Sequence, residues 1–240
     1  MHSPFVFDFI KHVLNNNKNY QPPTDINALR KQLLKDKTTI AIKDLGAGSR
    51  TSTDKQKTIA QIAGSTLKPE KYARLMFRLV KHYQSKTMLE LGTSLGITTA
   101  YLSAANPDSF ITTIEGNETI ARKATENWQT LGYHNIHSIT GNFDEVLPGY
   151  LQTASAIDLV YIDGNHRYKP TIDYFNLVLS NIHQDSIIVF DDIHWSAEME
   201  RAWEEIKEHP QVQYSIDIFF LGFVFFKKEF KVKQHFCIRF

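Results

Sequence analysis

Apolar positions along the chain follow two different periods. Through about residue 67 the spacing is mostly helical. Phe5, Phe9, Val13 and Leu14 fall near one face of a helix. Pro22–Pro23 marks a break, and Thr24 starts a new helix with Asp25 near its positive end. A short apolar run, Thr39–Ile40–Ala41–Ile42, precedes the polar, glycine-rich stretch Asp44–Leu45–Gly46–Ala47–Gly48–Ser49–Arg50, which reads as a loop. The segment from Asp54 to Ala63 reads as basic and helical.

From Lys71 the pattern changes. A helix from Tyr72 to Tyr83 carries Leu75, Met76, Leu79 and Val80 on one side. Strands are predicted at Thr87–Leu91, Phe110–Glu115, Ile136–Thr140, Ile157–Asp163 and Ser186–Asp191. Helices are predicted between and after them, at Thr98–Ala105, Glu118–Leu131, Glu145–Thr153, Thr171–Ile182 and Ala197–Glu208. Alternating strands and helices imply βαβ units and a parallel sheet. Two last strands, Val212–Phe219 and Phe223–Lys227, are joined too closely for a crossover helix, so they must run antiparallel. The predicted fold is α/β. It has a Rossmann-like, seven-stranded, mostly parallel sheet with a C-terminal antiparallel hairpin and helices on both faces. A mainly helical extension, residues 1–67, precedes a core domain, residues 68–240. The extension is placed to act as a lid over an acceptor site, as a dimer contact, or as both. Phe5, Phe7 and Phe9 favour its burial against the core or a partner. Arg30, Lys31, Lys35 and Lys37 read as a solvated helix face.

Composition narrows the function classes. With 240 residues, 42% of them hydrophobic, the chain can bury a continuous core. A net charge of +1 gives no global case for nucleic acid. The single Cys237 excludes an internal disulfide and a cysteine-based zinc cluster, which fits a reducing compartment. No run reaches a membrane span. The apolar tail Phe219–Phe226 is short and broken by Gly222, and the first eight residues lack a secretory pattern. A cytoplasmic protein with no membrane span is expected.

Ligands of open α/β sheets bind at the carboxyl ends of the strands, so candidate chemistry is sought there. The first strand ends in Glu90–Leu91–Gly92–Thr93–Ser94–Leu95–Gly96–Ile97–Thr98–Thr99. Its glycines permit a tight turn, and Thr98 or Thr99 stands near a helix start that favours a carboxylate. Glu90 is awkward beside a pyrophosphate but suits a cationic amino acid. The spacing is not that of a dinucleotide fingerprint, which counts against a nicotinamide dehydrogenase. The second strand ends in Glu115–Gly116–Asn117, where a carboxylate can accept both ribose hydroxyls. The third ends in Gly141–Asn142–Phe143, with Asn142 placed for an adenine edge and Phe143 for its ring.

This ordered set resembles the cofactor motifs of class I S-adenosylmethionine-dependent methyltransferases over about residues 70–228. It looks most like the catechol and caffeoyl-CoA O-methyltransferase branch and its bacterial relatives. The resemblance implies S-adenosylmethionine as cofactor. Glu90, Gly92, Thr93, Ser94, Gly96, Thr98, Glu115, Gly116, Asn142, Phe143 and Asp163 would contact it. Gly92 and Thr98 would hold its methionine part. Asp44–Ser49 also looks like a first methyltransferase motif, but no acidic strand end follows at a suitable distance. It is read as an ordered loop, or more sharply as a lid or contact near the active site.

The fourth strand runs into Asp163–Gly164–Asn165–His166–Arg167–Tyr168 and the fifth into Asp191–Asp192–Ile193–His194–Trp195. Carboxylates of Asp163, Asp191 and Asp192 converging at one edge would repel unless they share a cation. Hard oxygen donors suit Mg²⁺, or else Mn²⁺ or Ca²⁺. The resemblance places metal ligands at these three positions. His166 is the candidate general base, where the catechol and caffeoyl-CoA enzymes carry a lysine, with His194 second. The bland alternatives are that Asp191 or Asp192 caps the following helix and that His166–Tyr168 is a solvated turn. Tyr168 and Trp195 either line an acceptor pocket or pack. The expected function is O-methylation of a small hydroxylated acceptor. A metal-independent methyltransferase using His166 and a non-catalytic Rossmann-like binding module or scaffold stay open.

Overall fold

The structure is a computed structural model describing residues 3–16, 21–42 and 55–240. Contacts divide the chain into two compact units. One comprises residues up to 85 together with 93–143; the other comprises 86–92 and 144–240. The Asp44–Ser49 motif lies outside the described residues.

The first unit begins with α1 (Pro4–Phe9), whose N-terminus is closed by Ser3 Oγ accepting the Val6 N–H. Proline in the first turn costs no hydrogen bond there. The helix widens into a π-helical turn, Ile10–Leu14, with the Asn15 N–H donating to the Ile10 carbonyl. Val6, Phe9, Val13 and Leu14 are buried, as the helical spacing requires, while Phe7 is 65% exposed. Phe5 and Phe9 are four residues apart, and the 3.6-residue period turns Phe7 away from the face that Phe9 shares. After Pro23 comes α2 (Thr24–Leu33); Lys31 on it, and Lys35 and Lys37 beyond its end, are exposed.

A hairpin follows, β1 (Thr39–Ile42) against β2 (Lys55–Thr58), and then α3 (Ile59–Thr66). The sequence suggested a helix from Asp54. Thr58 and Gln61 instead form a reciprocal capping box that fixes the helix start after β2. In α4 (Glu70–Tyr83), Leu75, Met76, Leu79 and Val80 are buried, and left-handed Gln84 ends the helix. The unit closes with α5 (Ile97–Ala105), β4 (Phe110–Glu115), α6 (Glu118–Leu131) and β5 (Ile136–Thr140). Strands β4 and β5 pair in parallel, Glu115 opposite Thr140.

The second unit holds β3 (Thr87–Leu91) and β6 (Ile157–Ile162), with α7 (Phe143–Thr153) leading into the latter. It continues through α8 (Tyr168–Val178), β7 (Ile182–Asp191) and α9 (Ala197–Glu208) to β8 (Tyr214–Asp217), β9 (Leu221–Phe225) and β10 (Gln234–Cys237). Strands β3, β6 and β7 are parallel; β9 runs antiparallel to β7 and to β8. Their inward residues, Leu89, Leu91, Val160, Ile162, Ile188, Phe190 and Val224, are buried as near-continuous apolar runs, as parallel strands require. The unit's strands follow the order β10-β8-β9-β7-β6-β3, and with β4 and β5 of the first unit the strands other than the β1–β2 hairpin number eight among the described residues. The sequence predicted seven. The extra one, β10, lies parallel to β8 and is polar and half-exposed, so no buried alternation marked it.

Candidate active site

In the first unit, the turn after β3 is shaped by α6. Gly96 has φ +75°, and a Cβ there would stand 2.4 Å from the Trp128 Nε1 atom. That indole N–H donates to the Gly96 carbonyl at 2.8 Å, and Asn127 Nδ2 donates to the Leu95 carbonyl at 2.9 Å. The turn's carbonyls are thus held by α6, and the first N–H groups of α5, where Thr98 stands half-buried, point off the helix start. Thr93 is buried and its hydroxyl meets that of Thr113 at 2.6 Å. Ser94 has left-handed backbone, φ +48°, and its N–H donates to Glu115 Oε2 at 2.9 Å. Glu115 Oε1 accepts the Asn117 N–H at 2.9 Å. A carboxylate oxygen has two lone pairs and can accept more than one donor. Gly116 separates this carboxylate from Asn117, whose side chain caps α6. Asn142 is exposed and Phe143 half-buried at the start of α7.

In the second unit, Gly92 has φ +102°, and a Cβ there would lie 1.9 Å from the Asp163 carbonyl oxygen. The Asp163 N–H donates to the Leu91 carbonyl at 2.8 Å. Only glycine lets these two strand ends approach so closely. Glu90 is fully buried on β3, in register with Tyr161 on β6.

The carboxylates at the ends of β6 and β7 form a group with histidine. Asp163, His166 and Asp191 each offer one donor atom, and these atoms lie within 4.8 Å of one another. His166 Nε2 is 3.5 Å from Asp163 Oδ1, and Asp191 is 1% exposed. The Tyr161 hydroxyl donates to Asp163 Oδ2 at 3.0 Å. Burial, with the negative charges of Asp163, Asp191 and Glu90, pushes the Tyr161 hydroxyl far above its ordinary pKa, so it stays a donor. Sequence reasoning missed Tyr161; its place two residues before Asp163, on the same strand face, is the only hint.

The other predicted residues divide. Asp192 is not in that group; its backbone is left-handed, φ +52°, and its N–H donates to the Phe220 carbonyl at 2.8 Å. Neither aspartate caps α9, because Ser196 Oγ accepts the Met199 N–H there. His194 is engaged elsewhere, with Nε2 2.8 Å from Asp217 Oδ2 and its ring stacked on Phe219. Tyr168 turns its hydroxyl to Glu205 under the Arg201 guanidinium, and Trp195 is 74% exposed. The loop bearing His166 is not a free solvated turn. Asn165, at φ +55°, donates to the hydroxyl of Tyr174, which donates to Asp144 at 2.7 Å.

Residues 89–193 match a family described as a methyltransferase domain. Over that stretch, less than half of its length, the chain is similar to a methyltransferase domain. A protein-L-isoaspartate O-methyltransferase of Petrotoga mobilis is 37% identical over 73 residues, which is 30% of this chain and 33% of that protein. The chain spans less than half the length of the curated relatives it matches. Solved structures extend the likeness beyond the matched domain. An O-methyltransferase from Bacillus cereus in complex with S-adenosylhomocysteine has TM-score 0.64 and 17% identity, covering 92% of this chain and 97% of that one. The S-adenosylhomocysteine-bound methyltransferase PaMTH1 of Podospora anserina has TM-score 0.66 and 13% identity, with 95% and 98% covered. At such identities these likenesses speak for the fold. The matched stretch therefore lies within a fold that these structures share along nearly the whole chain.

Proposed function

We propose that this chain is an S-adenosylmethionine-dependent O-methyltransferase that acts on a small hydroxylated molecule with the help of a divalent metal. The observation that carries the proposal is the convergence of Asp163, His166 and Asp191 beside the glycine turn of a methyltransferase domain. When bound, the cofactor supplies an electrophilic methyl group and the cation supplies positive charge against an acceptor oxygen as it loses its proton.

The residues present fit both groups. Gly92 and Gly96 hold backbone positions that a Cβ would fill, and Glu115, at the end of β4, is the carboxylate proposed to accept the ribose hydroxyls. Glu90, Thr93, Ser94, Thr98, Gly116, Asn142, Phe143 and Asp163 complete the proposed cofactor contacts. Asp163 and Asp191, with Asp192 from the adjoining turn, are the proposed metal ligands, for Mg²⁺ or alternatively Mn²⁺ or Ca²⁺. Tyr161 fixes the Asp163 carboxylate, as outer partners of a ligand do. His166 takes the acceptor proton on Nε2, the nitrogen nearest Asp163. Holding acceptor and cofactor in line accounts for much of the remaining rate. The protein is proposed to work in the cytoplasm. Among the described residues no helix is long and apolar enough to cross a membrane.

The test is calorimetric titration of S-adenosylhomocysteine into the purified chain, with Mg²⁺, without it, and with EDTA. Micromolar binding is expected, and turnover of vicinal hydroxyl acceptors should stop with EDTA. Absence of binding in all three conditions overturns the proposal. Turnover indifferent to EDTA selects the metal-independent reading, in which His166 alone activates the acceptor.

A further inference from the structure

A second cluster of metal-ligating side chains lies in the first unit, on residues the methyltransferase reading does not use. Asp8 on α1, His12 in the π-helical turn and His82 on α4 place one donor atom each within 4.8 Å of the others. Asp8 Oδ1 is 2.7 Å from His12 Nδ1, and Oδ2 is 2.8 Å from His82 Nε2. The two imidazoles lie nearly parallel, 5.3 Å apart, so both rings present a nitrogen to one carboxylate.

We propose that Asp8, His12 and His82 form a binding site for a late first-row divalent cation of the Zn²⁺ type. The site joins the first helical segment to α4. Three arguments support this. The first is donor chemistry: two imidazole nitrogens and one carboxylate suit zinc, cobalt or nickel, and do not suit Mg²⁺ or Ca²⁺, which require oxygen.

The second argument is preorganisation. The backbone under the cluster is fixed by Arg78, which is 2% exposed and one turn before His82. Its Nε donates to the Val13 carbonyl at 2.6 Å and its Nη2 to the Leu14 carbonyl at 3.2 Å, so the π-helical end that carries His12 is tied to α4. Burial lowers the Arg78 pKa to about 10, which leaves the guanidinium charged and donating at neutral pH.

The third argument is access. The side chains of Asp8, His12 and His82 are 45%, 35% and 21% exposed, so a cation can enter and keep water in its open positions. On binding, the cation takes the place of the protons now shared between the carboxylate and the two rings. A neutral ring keeps its proton by moving it to the nitrogen away from the cation, and a ring that carries two protons releases one to solvent.

The test uses the full, untagged chain stripped of metal, titrated with Zn²⁺ by calorimetry and followed by thermal melting. The same measurements are made on His82→Gln, His12→Gln and Asp163→Asn. Micromolar Zn²⁺ should bind and raise the melting temperature of the wild type and of Asp163→Asn. Each histidine replacement should weaken this class of site by at least about tenfold and remove the rise. If the histidine variants fold and bind Zn²⁺ with wild-type stoichiometry and affinity, the assignment is overturned. It is equally overturned if the wild type binds no Zn²⁺ at this class of site, in which case the cluster is only a hydrogen-bonded clamp. The outcome is independent of S-adenosylhomocysteine binding, which tests the methyltransferase reading.

Discussion

Two trios of the same size behave differently. Asp8, His12 and His82 are closed on one another, with both nitrogens at hydrogen-bond distance from one carboxylate. Asp163, His166 and Asp191 are spaced more widely, with His166 Nε2 3.5 Å from Asp163 Oδ1. The difference follows from charge. One carboxylate between two imidazoles can be satisfied by their protons alone. Two carboxylates and one imidazole carry excess negative charge, and Asp191 is buried where water screens little. The nitrogen-rich trio therefore suits a structural cation of the Zn²⁺ type, whose place ring protons can take, and the oxygen-rich trio suits a hard cation that leaves positions for a reacting oxygen.

The comparison is broken most sharply at Asp163. Asp163→Asn should lower methyl transfer roughly a thousandfold, while S-adenosylhomocysteine still binds within a few-fold of wild type by calorimetry. Wild-type turnover in that variant would remove the wider trio from the chemistry. His166→Gln should lower turnover by about a hundredfold with little change in cofactor affinity. Rescue of the rate by added imidazole would place the loss at the proton acceptor. Tyr161→Phe should act more gently. Losing the hydroxyl that donates to Asp163 should weaken Mg²⁺ or Mn²⁺ binding about tenfold. That affinity can be read by manganese spin resonance, and no change there would mean Asp163 is oriented by other groups.

Much of this was legible in the sequence. The strand–helix alternation from Lys71 onward placed the five parallel strands and their helices, because buried parallel strands leave continuous apolar runs between punctuating loops. It also placed Gly92, Gly96, Glu115, Asp163, His166 and Asp191 at strand ends, since strand-end position follows from topology alone. What stayed hidden depends on tertiary approach. Trp128 gives no sign in its helix that it shapes the turn at Gly96, and Asn127 none that it holds Leu95. Tyr161 looks like an ordinary core residue of β6 until its register against Glu90 is seen. Strand β10 was too short and polar to show. The Asp8 trio is gathered over 74 positions of chain, beyond what spacing along one helix can reveal.

The smallest effect lies in the closed trio and concerns acid. Burial works to raise the Asp8 pKa, but the hydrogen bonds and charges of His82 and His12 outweigh it, and the carboxyl is held below its ordinary value. A carboxyl with a lowered folded-state pKa contributes stability that is fully present above the unfolded value of about 3.9. That contribution fades as pH falls through the lowered folded-state value. Because the Asp8 side chain is 45% exposed, solvent screening keeps the contribution to about 0.5 kcal/mol. Asp8→Asn should therefore melt slightly below the wild type in EDTA near neutral pH, and the gap should narrow as the buffer is acidified below the carboxylate range. A gap that stays constant into acid would mean that the carboxylate's charge contributes nothing. The hydrogen-bond geometry, which asparagine keeps in part, would then hold the first helical segment on α4 by itself.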